Sequence, residues 1–192
     1  SSTLIEKLGF TQGVACPCTF YNEDREIIMT VHGDDFTSRG PKKELDWLET
    51  KLQEFYELKL GPRLGPGPED AKQATVLNRV VTWTDEGILY EADPRQCERL
   101  LQECGMEGSK AVSTPGVKIT SAEVIEDKPL EPRLYTAFRS AAARANYLAQ
   151  DRPDVMFAAK EVCRLMASPT EGSWAALKRM CRYLAGLPRL IY

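Results

Sequence analysis

The sequence predicts an α+β chain, with antiparallel hairpins and one helix early and helices alone in its last third. Three observations carry that expectation. Short apolar stretches are separated by turn clusters such as Asn22-Glu23-Asp24-Arg25 and Thr84-Asp85-Glu86, the signature of hairpins. Between Lys42 and Tyr56 the apolar residues Leu45, Leu48, Leu52 and Phe55 recur at three-and-four spacing with charges opposite, which is the helical period. After Tyr135 three more periodic stretches follow, broken at Pro153 and Pro169, where proline cannot continue a helix.

Taken in order, Leu4, Ile5, Leu8 and Phe10 read as a helix end that turns at Gly13. Ala15–Tyr21 and Glu26–Val31 read as two strands of one hairpin, and Asp34-Asp35 mark the next turn. Leu58 to Pro68 is a stiff loop, since three prolines and three glycines in its last eight residues exclude helix and central strand. Ala74–Trp83 and Gly87–Glu91 read as a second hairpin. Asp93 caps a helix with Pro94 at its first position, Cys97, Leu100, Leu101 and Cys104 as its buried stripe and Gly105 as its stop. Val112–Arg133 is polar and aperiodic, an extended linker. Helices are then expected over Tyr135–Gln150, Asp154–Met166 and Glu171–Ala185.

A length of 192 residues suffices for a core, and 43% hydrophobic with 28% charged residues is globular rather than disordered composition. No apolar run approaches the roughly 20 residues of a membrane span, and no basic-then-apolar leader opens the chain. An intracellular, non-secreted protein is therefore expected. The chain starts at Ser1 without Met and stops at Tyr192 after a helical stretch, so both ends are expected to be cut from something larger. Six scattered cysteines do not form a disulfide scaffold, and Cys16-Pro17-Cys18 has the wrong spacing for a zinc knuckle, with His32 the only histidine. Cys97, Cys104, Cys163 and Cys181 fall on apolar helix sides and read as small buried thiols. The net charge of −3 argues against a generally basic nucleic-acid binder. It is uneven, however: residues 150–192 carry 7 basic and 4 acidic side chains, net +3, while residues 1–60 carry 7 and 11, net −4.

The acids concentrate near the most informative motif, His32-Gly33-Asp34-Asp35-Phe36. An apolar strand, Ile27–Val31, leads in, and a turn at Gly33 lifts both carboxylates to the sheet's end. Hard divalent ions such as Mg²⁺ or Mn²⁺ are held by one or two carboxylates together with substrate phosphates. Two such ions support phosphoryl transfer at both the attacking and the leaving oxygen. The plainer alternative is a turn and nothing more, because Gly and Asp are favoured there on conformational grounds alone.

The order of motifs resembles the reverse transcriptase of Ty1/copia-type retrotransposons over nearly the whole chain. Val31-His32-Gly33-Asp34-Asp35-Phe36 fills the place of that family's Tyr-Val-Asp-Asp turn. Glu57-Leu58-Lys59-Leu60-Gly61 resembles Met-Lys-Asp-Leu-Gly, and Val76-Leu77-Asn78-Arg79-Val80 loosely matches a Phe-Leu-Gly-Ile strand. Ser113-Thr114-Pro115, then Asn146-Tyr147-Leu148-Ala149 and Asp151-Arg152-Pro153-Asp154, continue the pattern. It closes with Ser168-Pro169-Thr170, Trp174, Lys178-Arg179 and Arg182-Tyr183-Leu184-Ala185-Gly186. His32 and Gly33 stand where the family has Tyr and Val, and Asn78 where it has Gly.

The resemblance implies a partial polymerase palm over residues 1–91, with the Asp-Asp hairpin and a primer-grip-like hairpin. It further implies a thumb-like helix over 92–111, a linker over 112–134 and a helical thumb/connection region over 135–192. The implied activity is RNA-directed DNA synthesis with Mg²⁺ or Mn²⁺ on Asp34 and Asp35, Asp34 being the essential ligand. The implied partners are an RNA or DNA template with primer, deoxynucleoside triphosphates (dNTPs) and the rest of a Pol polyprotein, with integrase upstream and ribonuclease H downstream. His32, Gly33, Lys59, Leu77, Asn78 and Arg79 become candidate contacts to primer or nucleotide. Against this, Lys59 reads better as a solvated surface lysine, and Leu77 reads equally well as the interior of a plain hairpin. Trp174 and Tyr183 read as core, and Lys178, Arg179 and Arg182 as a solvated helix face. A further family Asp and the fingers are missing from residues 1–33, so the chain alone is expected to be inactive. Two other readings stay open: a decayed or repurposed fragment that binds nucleic acid or a partner without catalysis, and a nucleotide cyclase of the Gly-Gly-Asp-Glu-Phe kind.

Overall fold

A computed structural model describes residues 2–117 and 127–192. Residues 118–126 of the expected linker, and the Leu4 side chain, lie outside the described residues. The fold is α+β with two separate antiparallel sheets. It divides into two compact units, Ser1–Gly61 and Pro62–Tyr192.

In the first unit a short helix α1 (Ser2–Lys7) leads into four strands in chain order, β1 (Thr11–Gln12), β2 (Thr19–Asn22), β3 (Ile27–His32) and β4 (Asp35–Arg39). Period-two alternation buries Ile27 and Met29 of β3 and leaves Ile28, Thr30 and His32 on the other face. Helix α2 (Lys42–Gln53) closes the buried face, its Leu48 and Leu52 packing with Ile5, Phe10, Phe20, Ile27 and Met29. Phe55, expected in that stripe, lies past the helix end and is 54% exposed; Trp47 and Tyr56 pack against the core instead. The β2–β3 turn is held by buried Asn22, whose Nδ2 donates to the Leu8 carbonyl (3.1 Å) while its Oδ1 accepts from the Arg25 amide (3.1 Å).

The second unit begins with three strands, β5 (Gln73–Val76), β6 (Arg79–Thr84) and β7 (Gly87–Glu91). The single strand expected over Ala74–Trp83 is in fact two. Leu77 (φ 48°) and Asn78 (φ 68°) both take left-handed backbone, the geometry of a two-residue type I′ turn. Leu77 is therefore a hairpin tip rather than a hairpin interior.

The helices follow as α3 (Pro94–Glu103), a 3₁₀ turn (Pro132–Leu134), α4 (Tyr135–Leu148), α5 (Pro153–Cys163) and α6 (Glu171–Gly186). The Asp93 cap on α3 is as expected, its carboxylate accepting from the Arg95 amide at 3.1 Å, and Gly105 turns the chain away at φ 62°. Alanines let α4 and α5 approach closely, with Ala141, Ala142, Ala145, Ala158 and Ala159 in the core beside Phe138, Leu177, Met180 and Leu184. Cys97, Cys104 and Cys181 are buried there and Cys163 half-buried. The described part of the linker is not plain extended chain. Leu130 is buried, its amide donates to the Pro169 carbonyl (2.9 Å), and Asp127 accepts from Gly172 at the start of α6 (2.8 Å).

Candidate metal and nucleic-acid site

At the tip of the β3–β4 hairpin, His32 pairs with Asp35 across a two-residue turn of Gly33 and Asp34. Backbone φ is positive at Gly33 (60°) and not at Asp34, which makes this a type II′ turn with glycine at its first central position. A type II′ turn twists in the sense of the flanking strands, so residues 27–39 stay in register up to the carboxylates. No neighbouring atom lies within 4 Å of where a Cβ on Gly33 would sit. The backbone conformation, not crowding, calls for glycine, and the space above the tip is open.

His32, Asp34 and Asp35 are all exposed. Among the described residues neither carboxylate has a side-chain hydrogen bond or ion pair, so both stay available to a ligand. Asp35 shares the outer face of the sheet with Thr30, Thr37, Arg39, Ile28 and Tyr21, the face opposite α2. Among the described residues no set of three His, Cys, Asp or Glu side chains converges on a metal position. A protein cage is thus absent there. What the hairpin offers is the pair of carboxylates that a hard cation shares with phosphate oxygens and water.

The other sequence candidates are differently placed. Lys59 is exposed near the end of the first unit. Leu77, Asn78 and Arg79 belong to the second unit and are tied into its frame. Asn78 Oδ1 accepts from Arg95 Nη2 at 2.8 Å, and Arg79 Nε and Nη2 hold Asp151 at 3.0 and 2.9 Å. Asp151 also accepts from the Tyr90 hydroxyl at 2.6 Å, and its bond to Arg79 raises that guanidinium's pKa. On α6, Lys178 lies over the Trp174 ring, Arg179 bonds Thr114 Oγ1 (2.9 Å) and Arg182 bonds the Lys110 carbonyl (2.8 Å). The face expected to be simply solvated clamps residues 110–114 to the helix. Trp174 packs edge-on against Phe138 and Tyr183 is half-buried, in keeping with core roles.

The Asp151-Arg152-Pro153-Asp154 motif is a joint of the second unit. Arg152 is 1% exposed and grips Asp154 with two bonds (2.9 and 2.7 Å). It also donates to the carbonyls of Leu187 (2.9 Å) and Pro188 (3.2 Å). Burial favours the neutral Asp154 acid, but the Arg152 guanidinium outweighs it and holds the pKa below the usual carboxylate value. The burial of Arg152 and its role in anchoring the C-terminal tail were not visible in the sequence; the Arg-Pro-Asp spacing was the only signal.

The retrovirus-related Pol polyprotein from transposon RE2 of Arabidopsis thaliana is 36% identical over 100 residues, 52% of this chain and 7% of that protein. The transposon relatives that this chain matches are retrovirus-related Pol polyproteins. The Pol polyprotein from transposon TNT 1-94 of Nicotiana tabacum aligns over 88% of this chain, 13% of its own length, at 26% identity. An uncharacterized mitochondrial protein of Arabidopsis thaliana is 33% identical over 98 residues, 51% of this chain and 40% of its own. This chain thus spans less than half of each of these relatives. No protein-family model and no solved structure matches it. Among the described residues no helix is long and apolar enough to cross a membrane.

Proposed function

We propose that this chain is part of the reverse transcriptase of a copia-type retroelement, and that the β3–β4 hairpin belongs to its polymerase palm. The observation that carries the reading is the open tip with two exposed carboxylates, Asp34 and Asp35, unpaired among the described residues, on a register-locked hairpin. It gains weight from homologues that are transposon Pol polyproteins. Asp34 and Asp35 would hold Mg²⁺ or Mn²⁺ together with the phosphates of an incoming dNTP. A pair of such ions would supply stabilisation to the attacking 3′-hydroxyl oxygen and the departing pyrophosphate oxygen. Gly33 lets the primer end approach, and the His32 ring offers a stacking surface beside it. Lys59 supplies a cation for the leaving pyrophosphate. By the same resemblance Leu77, Asn78 and Arg79 of the second unit are candidate contacts to the primer backbone, Arg79 being held by Asp151.

The test is a gel shift on an RNA–DNA primer–template with salt titration, with and without Mg²⁺. Expected is binding at low salt that weakens steeply as salt rises, and a Mg²⁺ dependence that Asp34→Asn removes. No binding at low salt would remove the reading. With dNTPs and Mg²⁺ the chain alone should not extend the primer. If it does, and Asp34→Asn abolishes extension, the catalytic set is complete after all. A second reading, a repurposed fragment that binds nucleic acid without catalysis, is favoured by the lack of a third converging ligand among the described residues. Under it, binding persists unchanged in Asp34→Asn and ignores Mg²⁺.

A further inference from the structure

The loop between β1 and β2 carries chemistry that the reading above does not use. Cys16 and Cys18 are the two exposed cysteines of the chain's six. The Thr19 amide donates to the Cys16 carbonyl at 2.9 Å, which closes a four-residue turn with Pro17 at its second position, where a fixed φ suits it. The turn is anchored on both sides, as the Gly13 amide bonds the Thr19 carbonyl and the Val31 amide the Cys18 carbonyl, both at 2.8 Å. The loop is therefore a rigid platform presenting two thiols to solvent.

The two thiols are not equivalent. The Thr19 hydroxyl donates to Cys16 Sγ at 3.4 Å. With the backbone amide of Cys18 it outweighs the small opposing effect of burial and lowers the Cys16 pKa. Hydrogen bonds aimed at a sulfur favour its thiolate, which is the nucleophile in thiol chemistry. Desolvation pushes the buried Cys97 thiol and the half-buried Cys163 thiol the other way.

We propose that Cys16-Pro17-Cys18 is a thiol-exchange site, with Cys16 as the attacking thiolate and Cys18 as the resolving thiol, and that its substrate is a low-molecular-weight disulfide. In the first step Cys16 Sγ attacks one sulfur of the small disulfide. A new S–S bond forms, the old one breaks, and the leaving thiolate takes a proton from water. In the second step the Cys18 thiolate attacks Cys16 Sγ and expels the second small thiol. The two cysteines lose two electrons, and the small disulfide gains them as it becomes two thiols. The Val31–Cys18 bond puts this site at the same end of the sheet as His32, two residues before Asp34, so its occupancy alters the surface beside the hairpin tip.

The experiment exposes the full chain to oxidised glutathione and reads adducts by intact mass and peptide mapping over time. Wild type should lose the mass of two hydrogens at Cys16 and Cys18 without lasting adduct. Cys18→Ser should stop at one glutathione on Cys16, and Cys16→Ser should react more slowly than wild type. Thr19→Val, which removes the hydroxyl donor but keeps the shape, should slow adduct formation by about threefold or more through the lost thiolate fraction. Adduct appearing first on Cys18, equal rates for both thiols, or no effect of Thr19→Val would overturn the proposal. Circular dichroism of each variant checks that the loop change leaves the fold intact, and equal spectra make each rate interpretable.

Discussion

Removing Asp154 probes the joint that closes the second unit. Arg152 is 1% exposed, and of its four hydrogen bonds two end on this carboxylate. In Asp154→Ala the guanidinium loses its paired carboxylate and keeps the Leu187 and Pro188 carbonyls. Breaking a buried pair from one side costs about 3–5 kcal/mol. At roughly 3 °C per kcal/mol for a unit of this size, the melting temperature should fall by about 10 °C or more. Arg152→Met with Asp154→Ala removes both charges together and should recover a large part of that loss, since the penalty lies in the orphaned cation. The assay is urea unfolding in a Trp47→Phe background, which leaves Trp83 and Trp174 of the second unit as reporters. The pH dependence has a fixed sign. Asp154 titrates lower in the folded chain than unfolded, so its stabilisation is present above the unfolded value of about 3.9 and is lost as pH falls through the lower folded value. The gap between wild type and Asp154→Ala should therefore narrow as the pH is taken below about 4. A loss under about 1 kcal/mol at neutral pH, or a double variant no better than the single one, would refute the reasoning.

Two further substitutions test local geometry. Leu77 holds φ 48°, a conformation that costs a side chain with Cβ about 1–2 kcal/mol, so Leu77→Asn should raise stability by up to about 1 kcal/mol in the same urea assay. Destabilisation there would mean that Leu77 makes a contact the turn geometry does not explain. Thr170 and Ser173 exchange capping bonds of 3.0 and 2.9 Å at the start of α6, so Thr170→Ala should cost about 1 kcal/mol and Thr170→Ser much less. Equal losses in the two variants would show that the hydroxyl is not the source.

Elements governed by local rules were legible in the sequence. Asp93, Pro94 and Gly105 delimit α3 as helix-capping chemistry requires, and Pro153 and Pro169 mark the breaks before α5 and α6. The Gly33 turn followed from glycine's tolerance of positive φ. Features that depend on distant partners were not legible. Tyr192 exchanges backbone hydrogen bonds with Tyr90 at 2.9 and 3.0 Å, and no pattern at either position announces a partner about a hundred residues away. Arg152, read from its charge, belongs on the surface, yet four acceptors from two segments take it inside. The Leu77-Asn78 turn was hidden because a leucine side chain disfavours left-handed backbone, a preference that the register of β5 against β6 overrides. At the candidate site, residue types and turn were readable in advance. Open space above Gly33 and the freedom of both carboxylates came only from the fold.

Manganese relaxation of backbone amide signals tests the central claim most directly. With primer–template and dNTP present, Mn²⁺ should broaden the amides of residues 31–37 first, and Asp34→Asn with Asp35→Asn should abolish that broadening while the rest of the spectrum keeps its positions. Broadening centred elsewhere in the chain, or at the hairpin but unchanged in the double variant, would contradict the assignment of this tip as the metal site.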